Sequence, residues 1–153
     1  MKNLQFKQLL LLSDTQKKAN QFLFQKRFNL ITADDNSVGK STLAKLLLWT
    51  FGCEPDFDST WKSTDCKCLV DFSIDGTNYK ILRYQNFISL KEENQEILKY
   101  SNISGDYSKK FAELVDFKVL LPKRGSNETE LITPPPAYYF LPFYIDQQNS
   151  WSK

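Results

Sequence analysis

The chain has no histidine, only 3 cysteines and 5 glycines, and almost no excess of either charge. Without imidazole, Cys66-Lys67-Cys68 and the upstream Cys53 leave a tetrahedral zinc site short of ligands, so the cysteines read as incidental. An odd number of cysteines with no secretion signal points to a reducing cytoplasm. The longest apolar run is Leu9-Leu10-Leu11-Leu12, far short of a membrane span. The N-terminus lacks the apolar core and small-residue cleavage site of a signal peptide. Lys and Arg number 20 against 18 Asp and Glu, a net charge of +2, which by itself gives no argument for nucleic acid. What is present is the material of one folded domain: 153 residues, 41% hydrophobic and 14% aromatic.

Along the chain, Leu4, Phe6, Leu10 and Leu12 alternate loosely, as in a strand. Residues 13–20 are polar and turn-like. Phe22, Phe24 and Phe28 share a parity and predict a half-buried second strand. Residues 28–32 predict a short strand feeding a polar loop. From Ser41 onward, Leu43, Leu46, Leu47 and Phe51 keep helical spacing, with Gly52 where a C-terminal cap belongs. The clearest hairpin is Val70, Phe72 and Ile74, then Asp75-Gly76, then Tyr79, Ile81 and Arg83. Residues 87–90 and 97–100 extend it into a small antiparallel sheet. Asp106 is placed to cap a helix striped by Phe111, Leu114 and Val115. A polar linker at 123–130 and Pro134-Pro135-Pro136 lead to an aromatic C-terminus.

The chemistry concentrates at Gly39-Lys40-Ser41-Thr42. A strand, a loop and then a helix present several backbone N–H groups to one small volume, and the positive end of the helix dipole favours phosphate there. Gly39 lets the backbone approach the ligand. Lys40 places an ammonium between β- and γ-phosphates, Ser41 offers a hydroxyl to Mg²⁺, and Thr42 caps the helix or reaches the α-phosphate. The usual pattern, G-x-x-x-x-G-K-[ST], wants glycine where Asp34 stands. Asp tolerates the positive φ this position often takes. The carboxylates of Asp34 and Asp35 repel a polyphosphate only weakly if they face water, by about 1 kcal/mol per pair of charges ~4 Å apart.

This loop resembles the first motif of ABC-type ATPase heads of the SMC, RecF and RecN-like family, which includes SMC-like ATPases of DNA repair and anti-phage defence. Those heads carry G-x-N-G-x-G-K-S-T. Asn36, Gly39, Lys40, Ser41 and Thr42 match, while Asp34 and Ser37 replace two glycines. The strand "TNYKILRY" and the terminal "FLPFYIDQQ" are also similar to such heads. The resemblance implies an α/β P-loop NTPase fold, the N-terminal lobe of an ABC-type head, with an attached antiparallel β-subdomain. It implies strands, P-loop and helix in 1–53, the β-subdomain in 66–100, a helix in 106–118 and a Q-loop region in 134–153. ATP would lie on Asn36, Ser37, Val38, Gly39, Lys40, Ser41 and Thr42. Mg²⁺ would be held by Ser41 and Gln147, with Gln147 as the catalytic Q-loop residue and Gln148 as the alternative.

The signature motif, the acidic Walker B segment and a switch histidine are missing, which implies a C-terminal lobe in the same or a second chain, beyond a coiled coil starting near Lys153. Such heads form head-to-head homodimers across two ATP molecules and act on DNA. The alternatives are a small P-loop kinase, which the hairpin-rich second half disfavours, and a scaffold that binds nucleotide without hydrolysing it. Lys17-Lys18, Lys26-Arg27, Lys62 and Arg83 read either as DNA phosphate contacts or as solvated charge. Tyr138, Tyr139, Phe140, Phe143 and Tyr144 read as base-stacking rings or as core and dimer packing.

Overall fold

The computed structural model describes residues 2–32, 34, 35, 39–123, 125, 130–140 and 142, and for Lys62 the backbone alone. The strands run β1 (Leu4–Ser13), β2 (Lys18–Leu23), β3 (Cys66–Ile74), β4 (Thr77–Tyr84), β5 (Phe87–Glu92) and β6 (Ile97–Tyr100), with a short hairpin of β7 (Leu121–Pro122) and β8 (Leu131–Ile132). The helices are α1 (Lys40–Thr50), α2 (Asp106–Leu114) and α3 (Ala137–Phe140), with a 3₁₀ turn at Trp61–Thr64. One six-stranded sheet of order β2-β1-β3-β4-β5-β6 dominates, and every pairing in it is antiparallel.

This corrects the expected fold class. The described residues form a mostly antiparallel β structure with three short helices, not an α/β P-loop NTPase fold with an appended β-subdomain. The supposed subdomain is the body of the molecule, and β1 and β2 belong to its sheet. The reason lies in the connections. Tight turns link β1 to β2, β3 to β4 and β4 to β5, and such turns can only reverse the chain, whereas parallel neighbours need long crossovers. The strand expected at 28–32 does not form, and Phe28 and Leu30 are 90% and 88% exposed. Upstream, the Asn29 amide accepts from the Gln25 N–H at 2.7 Å and donates to its carbonyl at 3.1 Å. That turn ends the extended run which phenylalanine parity had carried to residue 28.

The sheet hairpins follow their turn residues. Asp75 and Gly76 both hold positive φ, 48° and 90°, as a type I′ turn requires. Between β1 and β3 the register shifts at Lys7, which keeps both Phe6 and Leu9 on the inner face. That face carries Leu9, Val70, Ile81 and Leu90 in one cross-strand row, all buried. Helix α1 lays Leu43, Leu46 and Trp49 on it, and α2 adds Tyr107, Phe111 and Leu114. Phe51 sits at the centre, its ring 4.9 Å from Phe72, 5.7 Å from Phe6 and 5.9 Å from Phe140.

Both longer helices end in the same way. Gly52 takes φ 97°, with its N–H on Trp49 O and the Cys53 N–H on Leu48 O, the paired bonds of a Schellman motif. A Cβ on Gly52 would lie 2.9 Å from a Tyr107 ring carbon, so glycine is required twice over. Helix α2 repeats the motif with Asp116 at φ 54° in the glycine position. At its start the N-cap is Gly105 rather than Asp106, which instead opens the first turn and pairs with Lys109 at 3.4 Å. No helix among the described residues is long and apolar enough to cross a membrane.

Candidate phosphate-binding loop

Helix α1 begins at Lys40, as the loop chemistry needs, and its apolar stripe anchors it to β3 and β4. Gly39 is the N-cap in the left-handed region, φ 89° and ψ 14°, and its carbonyl accepts the Leu43 N–H at 3.0 Å. A Cβ there would meet nothing within 4 Å, so glycine serves the backbone angle and an open approach, not close packing. No side chain caps the helix, and the N–H groups of Lys40, Ser41 and Thr42 have no acceptor among the described residues. Donors in this arrangement suit an anion.

Lys40 turns back on the chain, its Nζ donating to the Asp35 carbonyl at 2.9 Å. Ser41 is exposed at the mouth, Thr42 is half-buried, and Asp34 and Asp35 both face solvent. The structure therefore brings Gly39, Lys40, Ser41 and Thr42 together on one helix end. Asn36, Ser37 and Val38 lie outside the described residues, as do Gln147 and Gln148.

Arg83 is the residue that sequence reasoning misread. It neither faces water nor offers itself to DNA, being 1% exposed beneath the C-terminal end of α1. Its Nη1 donates to Trp49 O at 2.5 Å and Cys53 O at 2.8 Å, its Nε to Gln85 O at 2.8 Å, and Nη2 pairs with Glu54. The guanidinium also lies 4.4 Å from the Trp49 ring centroid. A cation at a helix C-terminus complements the dipole, and here it also supplies donors to the Trp49 carbonyl in the last turn and the Cys53 carbonyl just beyond it. The one available signal was its inward parity with Tyr79 and Ile81 on β4.

The cysteines are set by burial. Desolvation pushes the thiols of Cys53 and Cys68 up to about 12, with the nearby Arg83 charge acting weakly the other way. Both are neutral thiols at physiological pH. Lys17, Lys18, Lys26 and Arg27 are exposed. Among the terminal aromatics, Phe140 packs 5.9 Å from Phe111 and Tyr139 packs 5.5 Å from the same ring, so these two belong to the core, whereas Tyr138 is exposed. Phe143 and Tyr144 lie outside the described residues.

No family model matches the chain. It is 26% identical over 152 residues to Lamassu protein LmuB of Bacillus cereus, covering 99% of this chain and 26% of that protein. It is 28% identical over 136 residues to a Lamassu protein LmuB of another Bacillus, covering 88% of this chain and 23% of that protein. The chain thus spans about a quarter of the length of the curated relatives it matches.

Proposed function

We propose that the chain is the ATP-binding N-terminal segment of an SMC-like ATPase of anti-phage defence. The observation that carries this reading is the open, uncapped start of α1, where Gly39 holds a left-handed φ and Lys40 and Ser41 follow it. In this reading the free amides and Lys40 hold the β- and γ-phosphates, and Lys40 exchanges its bond to Asp35 O for the nucleotide. Ser41 ligates Mg²⁺ together with Gln147. The likeness to two Lamassu proteins favours defence over repair. Hydrolysis would need a C-terminal lobe from the same or a second chain, with two heads closing on two ATP molecules and acting on DNA. Phe28 and Leu30, large apolar side chains exposed just before the loop, are consistent with a surface that such a lobe covers.

The test is calorimetric titration with Mg·ATP of the wild-type chain and of Lys40→Ala. The reading expects at least a tenfold loss of affinity, about 1.4 kcal/mol, in the variant. Equal affinity in both would remove the phosphate-loop assignment.

A further inference from the structure

A cleft opens at the end of α1 opposite the proposed phosphate loop. It encloses about 420 Å³ between Trp49, residues 54–58, the 3₁₀ turn and the β4–β5 turn, a volume at the small end of the range for ligand sites. One wall is aromatic. Phe57 stacks on Trp61 with centroids 4.4 Å and planes 15° apart, and Trp61 meets Trp49 edge-to-face at 6.0 Å. Trp49 is buried and already carries the Arg83 guanidinium, whereas Phe57 and Trp61 are only half-buried. A ligand entering the cleft therefore meets Phe57 and Trp61.

Carboxylates line the rest. Glu54, Asp56, Asp58 and Asp65 border the cleft, against Arg83 as the one cation among its described lining residues. Glu54 and three backbone carbonyls take up the Arg83 donors. Asp58 is anionic, because the Thr60 hydroxyl and amide hold its carboxyl below the usual range. The Asp56 carboxylate is exposed and makes no ion pair among the described residues. Asp65 lies beside the Tyr84 hydroxyl and Lys67. Two lysines flank the cleft and both are engaged: Lys45 donates to the Asp56 carbonyl at 2.6 Å, and Lys67 pairs with Asp14. Counting them and Asp14 leaves five carboxylates against three cations among the described side chains. No group of side chains among the described residues is placed to hold a metal ion. Acids beside aromatic rings suit an organic cation and repel nucleic acid.

We propose that this cleft receives an arginine side chain from a basic segment of a partner protein, its guanidinium against Phe57 and Trp61 and its donors on Asp56 and Asp58. Arg83, lying on the Trp49 ring and paired with Glu54, is the same arrangement formed within the chain. A planar guanidinium can stack on a ring and fork a carboxylate at once, whereas a lysine ammonium is a compact, strongly hydrated charge that does neither. A segment of protein fits better than a free small cation, because exposed Asn86 at the mouth has a side-chain amide with no bond among the described residues, free to pair with a peptide backbone. One arginine at a half-open site gives weak, salt-sensitive docking. It does not depend on nucleotide binding, since Lys40 lies about 14 Å back along the axis of α1 from Trp49.

The test titrates the full 153-residue chain with flexible Gly/Arg, Gly/Lys and Gly/Glu peptides of equal length, followed by amide and indole NMR shifts. The Gly/Arg peptide is expected to bind with sub-millimolar affinity and to shift the Trp61 indole together with the Asp58 and Asn86 amides. The Gly/Lys peptide is expected to bind about threefold more weakly or worse, and the Gly/Glu peptide not at all. Asp56→Asn with Asp58→Asn keeps an acceptor for Thr60 and is expected to weaken Gly/Arg binding about fivefold or more. Phe57→Leu is expected to weaken it several-fold, with circular dichroism confirming that both variants stay folded. Equal binding of the Gly/Lys peptide overturns the proposal, as does unchanged Gly/Arg binding in the asparagine variant. A Trp61 indole that stays unmoved up to millimolar Gly/Arg peptide overturns it as well.

Discussion

Arg83 shows how much one buried side chain can hold. Its guanidinium ties β4 to the Trp49 carbonyl in the last turn of α1 and to the Cys53 carbonyl just beyond it, both in buried bonds, and a third backbone bond goes to Gln85 O. Removing it takes a donor from two buried carbonyls, of which Trp49 O keeps the Gly52 N–H, and leaves a cavity under Trp49. Arg83→Met is expected to cost about 3 kcal/mol or more in urea denaturation. Its ion-pair partner Glu54 is 62% exposed, so Glu54→Gln is expected to cost under about 1 kcal/mol. Equal losses in the two variants would show that the ion pair, not the carbonyl bonding, carries the stability.

The buried thiols give a second expectation at the residue scale. Cys53 and Cys68 have pKa values raised by burial from 9.0 to about 12 in the folded chain. Below pH 9 both states hold the protons and no stability is lost. As pH rises above 9 the unfolded chain releases protons that the folded chain keeps, so stability falls. By pH 10.5 the loss is about 2 kcal/mol for each thiol. Replacing both with valine is expected to flatten the denaturation midpoint between pH 8.5 and 10.5 relative to wild type. A wild-type midpoint already flat over that window would contradict the burial of these groups.

At the scale of elements, the two Schellman endings differ in one residue. Gly52 fits the left-handed position of α1, while Asp116 occupies the same position of α2 with a Cβ that the backbone angle disfavours. Asp116 is exposed, so nothing packs against the change. Asp116→Gly is expected to raise stability by about 0.5–1 kcal/mol, read as a rise in thermal midpoint. A fall would mean that the Asp116 side chain makes a contribution larger than its backbone strain.

The elements that were legible in the sequence were those whose pattern and partner are local. The Asp75-Gly76 turn and the alternation on either side of it set β3 and β4, and the Leu43, Leu46 spacing set α1. What was not legible depended on distant partners. β2 begins at Lys18, in a stretch with exposed Lys18, Ala19 and Asn20, because it is an edge strand held by β1 rather than by its own apolar face. Residues 28–32 have the composition of a strand and lack a neighbour to pair with, and composition alone does not show that.

At the scale of the whole molecule, the order of elements explains why the fold class was misread. A helix preceded by strands and followed by a hairpin reads as α/β when the pairing is unknown. In the folded chain β1 pairs on one edge with β2 and on the other with β3, and α1 is only the connection between them, laid across the inner face. The residues of the proposed phosphate loop could be named from the sequence because they are contiguous. The clamp at the other end of α1 was not, since Arg83 comes 30 residues after Cys53, whose carbonyl it bonds. One short helix thus has its C-terminal end fixed by a buried cation, while its N-terminal N–H groups have no acceptor among the described residues. That asymmetry is what the proposed ATP-binding role rests on.

The most direct measurement is an amide-shift titration of the isotope-labelled chain with Mg·ATP. The account predicts that Gly39, Lys40, Ser41 and Thr42 shift first and saturate together, with the residues around Arg83 unmoved. Shifts confined to other residues, or none at these four up to millimolar nucleotide, would contradict it.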